Sequence, residues 1–140
     1  MKHYSLFLIY CSLFVVLISG CGKNVGLKGR VLLSDDKSPL TQGVICFEKD
    51  GYIARGPIDK SGNYVVGAEK NGGGLERGEY KIYFQNTERV TYPTDNTVAS
   101  LPKIENIIDP KYNKADTSGL TLDVRKSQTF DIEVDRFQKK

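Results

Sequence analysis

Polar and apolar residues alternate with period two over most of the chain, a pattern that predicts strands. Leu27, Gly29, Val31 and Leu33 share one face of a first strand, with Lys28 and Arg30 on the other. Residues 44–48 give a second, with Ile45 and Phe47 on one side and Val44, Cys46 and Glu48 on the other. Residues 52–58 and 64–67 read as a third and a fourth. Residues 79–86 form the most regular strand, where Tyr80, Ile82 and Phe84 alternate with Lys81, Tyr83 and Gln85. Residues 120–125 and 129–134 end the series, with Leu120, Leu122 and Val124 expected to face Phe130, Ile132 and Val134 across a hairpin turned by Lys126-Ser127-Gln128. Polar and glycine-rich stretches separate the strands: Ser34-Asp35-Asp36-Lys37-Ser38-Pro39, Lys49-Asp50-Gly51, Asp59-Lys60-Ser61-Gly62-Asn63 and Asn71-Gly72-Gly73-Gly74. No segment has the period of an amphipathic helix. Seven short strands between turns predict an all-β fold, a seven-stranded antiparallel β-sandwich. Residues 87–119, with Pro93, Pro102 and Pro110, lack strong periodicity and are expected as one long loop.

The N-terminus follows a different pattern. Met1-Lys2-His3 is a short basic start, and Tyr4 to Ile18 is an apolar run broken only by Ser5, Cys11 and Ser12. Small residues and Cys21 close it. This is the layout of a secretory signal, and the run is short beside the roughly 20 apolar residues of a spanning helix. Ile18-Ser19-Gly20-Cys21 resembles the bacterial lipobox: a branched aliphatic, two small residues and a cysteine whose thiol takes a diacylglycerol group before cleavage. Several acyl chains on one residue anchor stably, since each buried methylene contributes about 0.8 kcal/mol. The expected organisation is therefore a cleaved signal peptide at 1–20, a lipidated tether at 21–26, the sandwich at 27–135 and a tail at 136–140. Gly22 after the lipidated cysteine favours the outer membrane over the inner.

Composition narrows the chemistry. Of 20 basic and 17 acidic residues only Lys2 lies in the leader, so cleavage lowers the net charge from +3 to +2. The charges are interspersed, which gives no basic patch and no expectation of a nucleic-acid partner. With Cys11 in the leader and Cys21 lipidated, Cys46 stands alone and no disulfide is expected. The only histidine is His3. From Cys21 onward, Ser-His-Asp and Cys-His catalysis and histidine-ligated zinc are therefore excluded. No catalytic residue, cofactor or metal is expected.

Each remaining candidate has a plainer structural explanation. Asp59, Ser61 and Asn63 supply oxygens suited to calcium, but Ser61 and Lys70 stand where an EF-hand needs an acid or amide and a closing Glu. A turn accounts for them better, with Gly62 supplying positive φ. Asp35-Asp36 is expected as a solvated loop tip. Asn71-Gly72-Gly73-Gly74 lacks the Gly-Lys-Ser/Thr of a phosphate loop. Cys46, on a strand with no histidine to activate it, is expected to be structural. A carboxylate pair of Asp59 with Asp95 or Asp109 has no support in spacing. Tyr92 and Tyr112, in the expected loop, are the candidate ligand-binding aromatics, for a glycan or small ligand.

Several segments, taken in order, resemble the carboxypeptidase regulatory-like, or transthyretin-like, domain. They are Lys28-Gly29-Arg30-Val31, Pro39-Leu40, Gly43-Val44-Ile45-Cys46-Phe47-Glu48, Ile58-Asp59-Lys60-Ser61-Gly62-Asn63-Tyr64 and Leu75-Glu76-Arg77-Gly78-Glu79-Tyr80-Lys81-Ile82. Pro110-Lys111-Tyr112 with Thr117-Ser118-Gly119-Leu120-Thr121 is similar to the ending of small lipoproteins of planctomycete-type bacteria. The resemblance implies a transthyretin-like or Ig-like sandwich. The period-two pattern by itself expects Tyr80 to bury its ring while its hydroxyl finds a partner at the sandwich edge, the role of a tyrosine corner. The resemblance implies no activity. The transthyretin-like hydrolases of purine catabolism rely on histidines and a Tyr-Arg-Gly-Ser ending, and this chain has neither. The expected function is a non-catalytic envelope lipoprotein, held on the membrane through Cys21, with a structural role or an envelope protein or glycan as partner.

Overall fold

The computed structural model describes residues 24–66, 74–93 and 101–139. Cys21 and the leader lie outside them, as do Asp95 and residues 71–73. The order of elements is β1 (Asn24–Val25), β2 (Leu27–Leu33), β3 (Val44–Lys49), β4 (Tyr52–Pro57), β5 (Asn63–Val66), β6 (Leu75–Glu76), β7 (Gly78–Gln85), β8 (Glu88–Thr91) and β9 (Lys103–Asn106). A 3-10 turn, Pro110–Asn113, and α1 (Ala115–Ser118) follow, then β10 (Leu120–Val124), β11 (Gln128–Thr129) and β12 (Ile132–Val134).

The fold is all-β. One sheet has the order β10-β7-β3-β4, antiparallel throughout. The other is built on β2, with β5 antiparallel to it and β11 and β12 parallel to it. The alternation in β2 is literal: Leu27, Gly29, Val31 and Leu33 are buried while Lys28 and Arg30 are exposed. The inward residues of both sheets form one core, with Phe47 at its centre, 6.1 Å from the Tyr64 ring and 6.5 Å from the Tyr80 ring. The Tyr80 ring is fully buried, and its hydroxyl donates to the Glu76 carbonyl at 2.9 Å. That matches the tyrosine-corner role expected for it.

The expected terminal hairpin does not form. β10 pairs with β7, and β11 and β12 pair with β2, so the two segments lie in different sheets. Ser127 makes the crossing: its Oγ accepts from the Gly26 N–H at 3.0 Å, and the Gln128 N–H donates to the Gly26 carbonyl at 3.1 Å. The inward residues still meet, but through the core between the sheets. The parallel pairing with β2 also means that the sandwich is not antiparallel throughout.

Residues 87–119 are likewise not one loop. They hold the β8–β9 hairpin, the 3-10 turn and α1. The turn begins with Pro110 after Asp109, whose Oδ1 accepts from the Lys111 N–H at 2.9 Å. α1 ends on Gly119 at φ 69°. These cap residues are visible in the sequence, although elements of four residues are too short to show periodicity.

Gly29 is the tightest point in the second sheet. A Cβ there would lie 1.9 Å from the Phe130 carbonyl oxygen. Only glycine lets β2 pass this close to the break between β11 and β12.

Candidate interaction site

The β8–β9 hairpin projects from the sandwich with little cover. Val90 lies opposite Ile104, and both are exposed, at 46% and 66%. Tyr92, just beyond β8, is 74% exposed, and Leu101 before β9 is 88% exposed. On the other face Arg89 is opposite Glu105 and Thr91 opposite Lys103, and Lys103 Nζ pairs with Glu105 Oε1 at 2.6 Å. The hairpin thus has an apolar face and a charged face, both open to water. Two-stranded hairpins are marginal alone, and this one is rooted by specific bonds. Asn86 takes φ 55° after β7, a conformation asparagine tolerates. The Ile107 N–H donates to the Thr87 carbonyl at 3.1 Å, and Gln42 Nε2 to the Glu88 carbonyl at 2.6 Å.

Beside the root lies an open cleft of about 690 Å³, lined by Ser34, Asp35, Asp109, Asp135, Arg136 and Phe137 among others. Its charges serve one another. Asp135 accepts from Ser34 Oγ at 2.8 Å, Lys111 Nζ at 2.6 Å and the Tyr112 hydroxyl at 3.0 Å. These bonds, with Lys111 first, hold its carboxyl at about 2. Arg136 pairs with Asp35 at 2.7 Å and Asp36 at 2.8 Å. Asp35-Asp36, expected as a solvated tip, therefore clamps the residues that follow β12. The Phe137 N–H donates to the Ile107 carbonyl at 3.0 Å, so the same segment braces the hairpin root.

The two candidate tyrosines are not brought together. Tyr92 sits on the open apolar face. Tyr112 is 6% exposed, its ring edge-on to Phe84 at 6.4 Å between centroids. The 3-10 turn swings Tyr112 into the core, where it packs, and removes it from the candidate ligand surface. Val90 and Ile104 escaped the sequence reading because each sits in a strand of only four residues.

The other candidates occupy structural positions. Asp59 Oδ1 accepts from the N–H groups of Ser61 and Asn63 at 2.8 and 2.9 Å, and its Oδ2 from Asn63 Nδ2 at 3.1 Å. Gly62 follows at φ 80°. The carboxylate is thereby committed to the turn, and Asp109 is committed to its cap. Cys46 is fully buried beside Tyr83, and burial pushes its thiol up. Among the described residues no group of three His, Cys, Asp or Glu is placed to hold a metal ion. No helix among them is long and apolar enough to cross a membrane.

No protein family and no curated protein sequence matches the chain. Among solved structures it is similar to a DUF3823 family protein from Bacteroides ovatus, at 17% identity and a TM-score of 0.45, over 81% of this chain and 45% of that one. It is also similar to the major pilin subunit of Bacillus cereus, at 11% identity and a TM-score of 0.46, over 83% of this chain and 30% of that one. The chain spans less than half the length of either.

Proposed function

We propose that this chain is a lipid-anchored protein of the bacterial cell envelope whose non-catalytic sandwich presents the β8–β9 hairpin to an envelope protein or glycan. The ending of the chain, Pro110-Lys111-Tyr112 with Thr117-Ser118-Gly119-Leu120-Thr121, resembles that of small lipoproteins of planctomycete-type bacteria and supports this reading. The observation that carries the reading is the position of the hairpin relative to the tether. Asn24 is three residues from Cys21, and β1 pairs with β6, immediately before β7. The hairpin follows immediately after β7. The two are therefore separated by the length of β7, eight residues or on the order of 25 Å. With Cys21 lipidated, the apolar face of Val90, Tyr92 and Ile104 stands away from the bilayer, where an exposed apolar face marks a contact surface. Gly22 supports the outer membrane over the inner.

Two measurements test this. Mass spectrometry of the chain recovered from membranes is expected to find Cys21 as the first residue, carrying diacylglycerol. A retained leader, or an unmodified Cys21, overturns the anchor. Binding to envelope fragments is expected to fall with Tyr92→Ala and Val90→Ser. Binding that both changes leave intact overturns the hairpin as the contact surface. Tyr92, as an exposed ring, favours a sugar ligand, and loss of glycan-array binding in Tyr92→Ala would identify one.

A further inference from the structure

We propose that the outer edge of β9 pairs with the same edge of a second copy of this chain, antiparallel and centred on Ile104. This deepens the use of the hairpin as an interaction surface and rests on it. β9 has β8 on one side and, among the described residues, no strand on the other. Such an edge is a template for another strand. The two edges of the hairpin are not equivalent. On β8, Gln42 Nε2 occupies the Glu88 carbonyl. On β9, the Ile107 N–H points to Thr87, so by alternation the backbone groups of Ile104 and Asn106 point to the open side.

What selects a second copy is the order of residues along that edge. Residues 101–107 read Leu-Pro-Lys-Ile-Glu-Asn-Ile. Laid antiparallel on itself about Ile104, the segment sets Lys103 of each copy opposite Glu105 of the other. Ile104 meets Ile104, and Leu101 falls opposite Ile107, whose side chain packs partly on its own core. Both charged positions face the opposite charge and Ile104 faces itself, while Pro102 falls opposite Asn106. Shifting the register by one residue sets Ile104 against Glu105 or Lys103 and loses both matches. Pro102, with no N–H, limits the pairing to the centre of the strand. The paired hairpins form a four-stranded sheet in which Val90 and Ile104 of both copies line one face. The Lys103–Glu105 contact within one chain, whose side chains are 71% and 47% exposed, becomes a cluster of four charges on the other face.

Sedimentation of the full chain tests the pairing through charge reversal. The unmodified chain is expected to dimerise. Lys103→Glu alone and Glu105→Lys alone should each weaken the dimer by about tenfold, because like charges then face each other twice. The double change K103E/E105K, and an equal mixture of the two single variants, should restore it. Ile104→Cys should form a disulfide-linked dimer, since directly paired residues bring their Cα atoms within bridging distance. A dimer indifferent to the single changes, or a chain that stays monomeric and does not cross-link through Ile104→Cys, overturns the proposal. If that monomer still loses envelope binding through Tyr92→Ala, the self-pairing fails while the wider function stands.

Discussion

The Tyr64 hydroxyl donates to the Phe130 carbonyl at 2.6 Å, across the bare backbone of Gly29. Gly29 and Tyr64 are register partners in β2 and β5. The hydroxyl oxygen lies 3.0 Å from where a Cβ at residue 29 would sit, and it reaches the segment between β11 and β12 on the far side of β2. One hydrogen bond thus ties β5, across β2, to the point where β11 gives way to β12.

Tyr64→Phe removes that bond and leaves the carbonyl oxygen to find another donor. The expected cost is about 1 to 2 kcal/mol, measured by urea unfolding near neutral pH. A pH effect accompanies it. Burial raises the Tyr64 hydroxyl well above its ordinary value. An unfolded tyrosine loses its proton near pH 10 while the folded one keeps it. Above that pH the unfolded state binds fewer protons, so stability falls as pH rises. The fall should be shallower in Tyr64→Phe. An unchanged alkaline slope would remove Tyr64 as its source.

Gly29→Ala tests the close approach directly. Its Cβ cannot remain 1.9 Å from a backbone oxygen, so β2 and the segment around Phe130 must separate. A loss of about 3 kcal/mol is expected, against the few tenths common for exposed Gly→Ala changes. A near-neutral urea midpoint would show that the strands part easily.

Tyr92 and Tyr112 should respond in opposite ways. Tyr92→Ala alters an open surface and should leave stability within about 0.5 kcal/mol. Tyr112→Ala empties a site against Phe84 and strands Asp135 without one of its donors. It should cost about 3 to 5 kcal/mol. Thermal melts of the two variants separate these outcomes, and equal losses would contradict the difference in burial.

Asp135 should contribute on the acid side. Its folded carboxyl, at about 2, lies below the roughly 3.9 of an unfolded aspartate. The contribution is present above that unfolded value and is lost as pH falls towards the folded one, because the unfolded chain takes the proton first. The side chain is half exposed, so solvent screening keeps the effect small. Melting points of Asp135→Asn should fall less steeply between about pH 4 and pH 2 than those of the unmodified chain.

The sequence determined the strands and their faces wherever they were long enough to repeat. In β2 and β7 the period-two pattern runs for seven and eight residues, and side chains on a pleated strand must alternate. It also determined the Asp59 turn, the tyrosine corner and the absence of histidine beyond His3, because each depends on residue type within a few positions. The lipobox is a sequence feature alone, since Cys21 lies outside the described residues. Only the tertiary structure decided which strands pair. Leu122 and Ile132 carry the same inward signal whether they meet across a hairpin or between sheets, and the Ser127–Gly26 contact that selects the second arrangement joins residues far apart in the chain. The same holds for the candidate site. Tyr92 and Tyr112 look alike in sequence, and what separates them is the 3-10 turn that docks one on Phe84 while the hairpin carries the other into water. Exposure depends on what packs against a residue, and no local pattern along the chain records that.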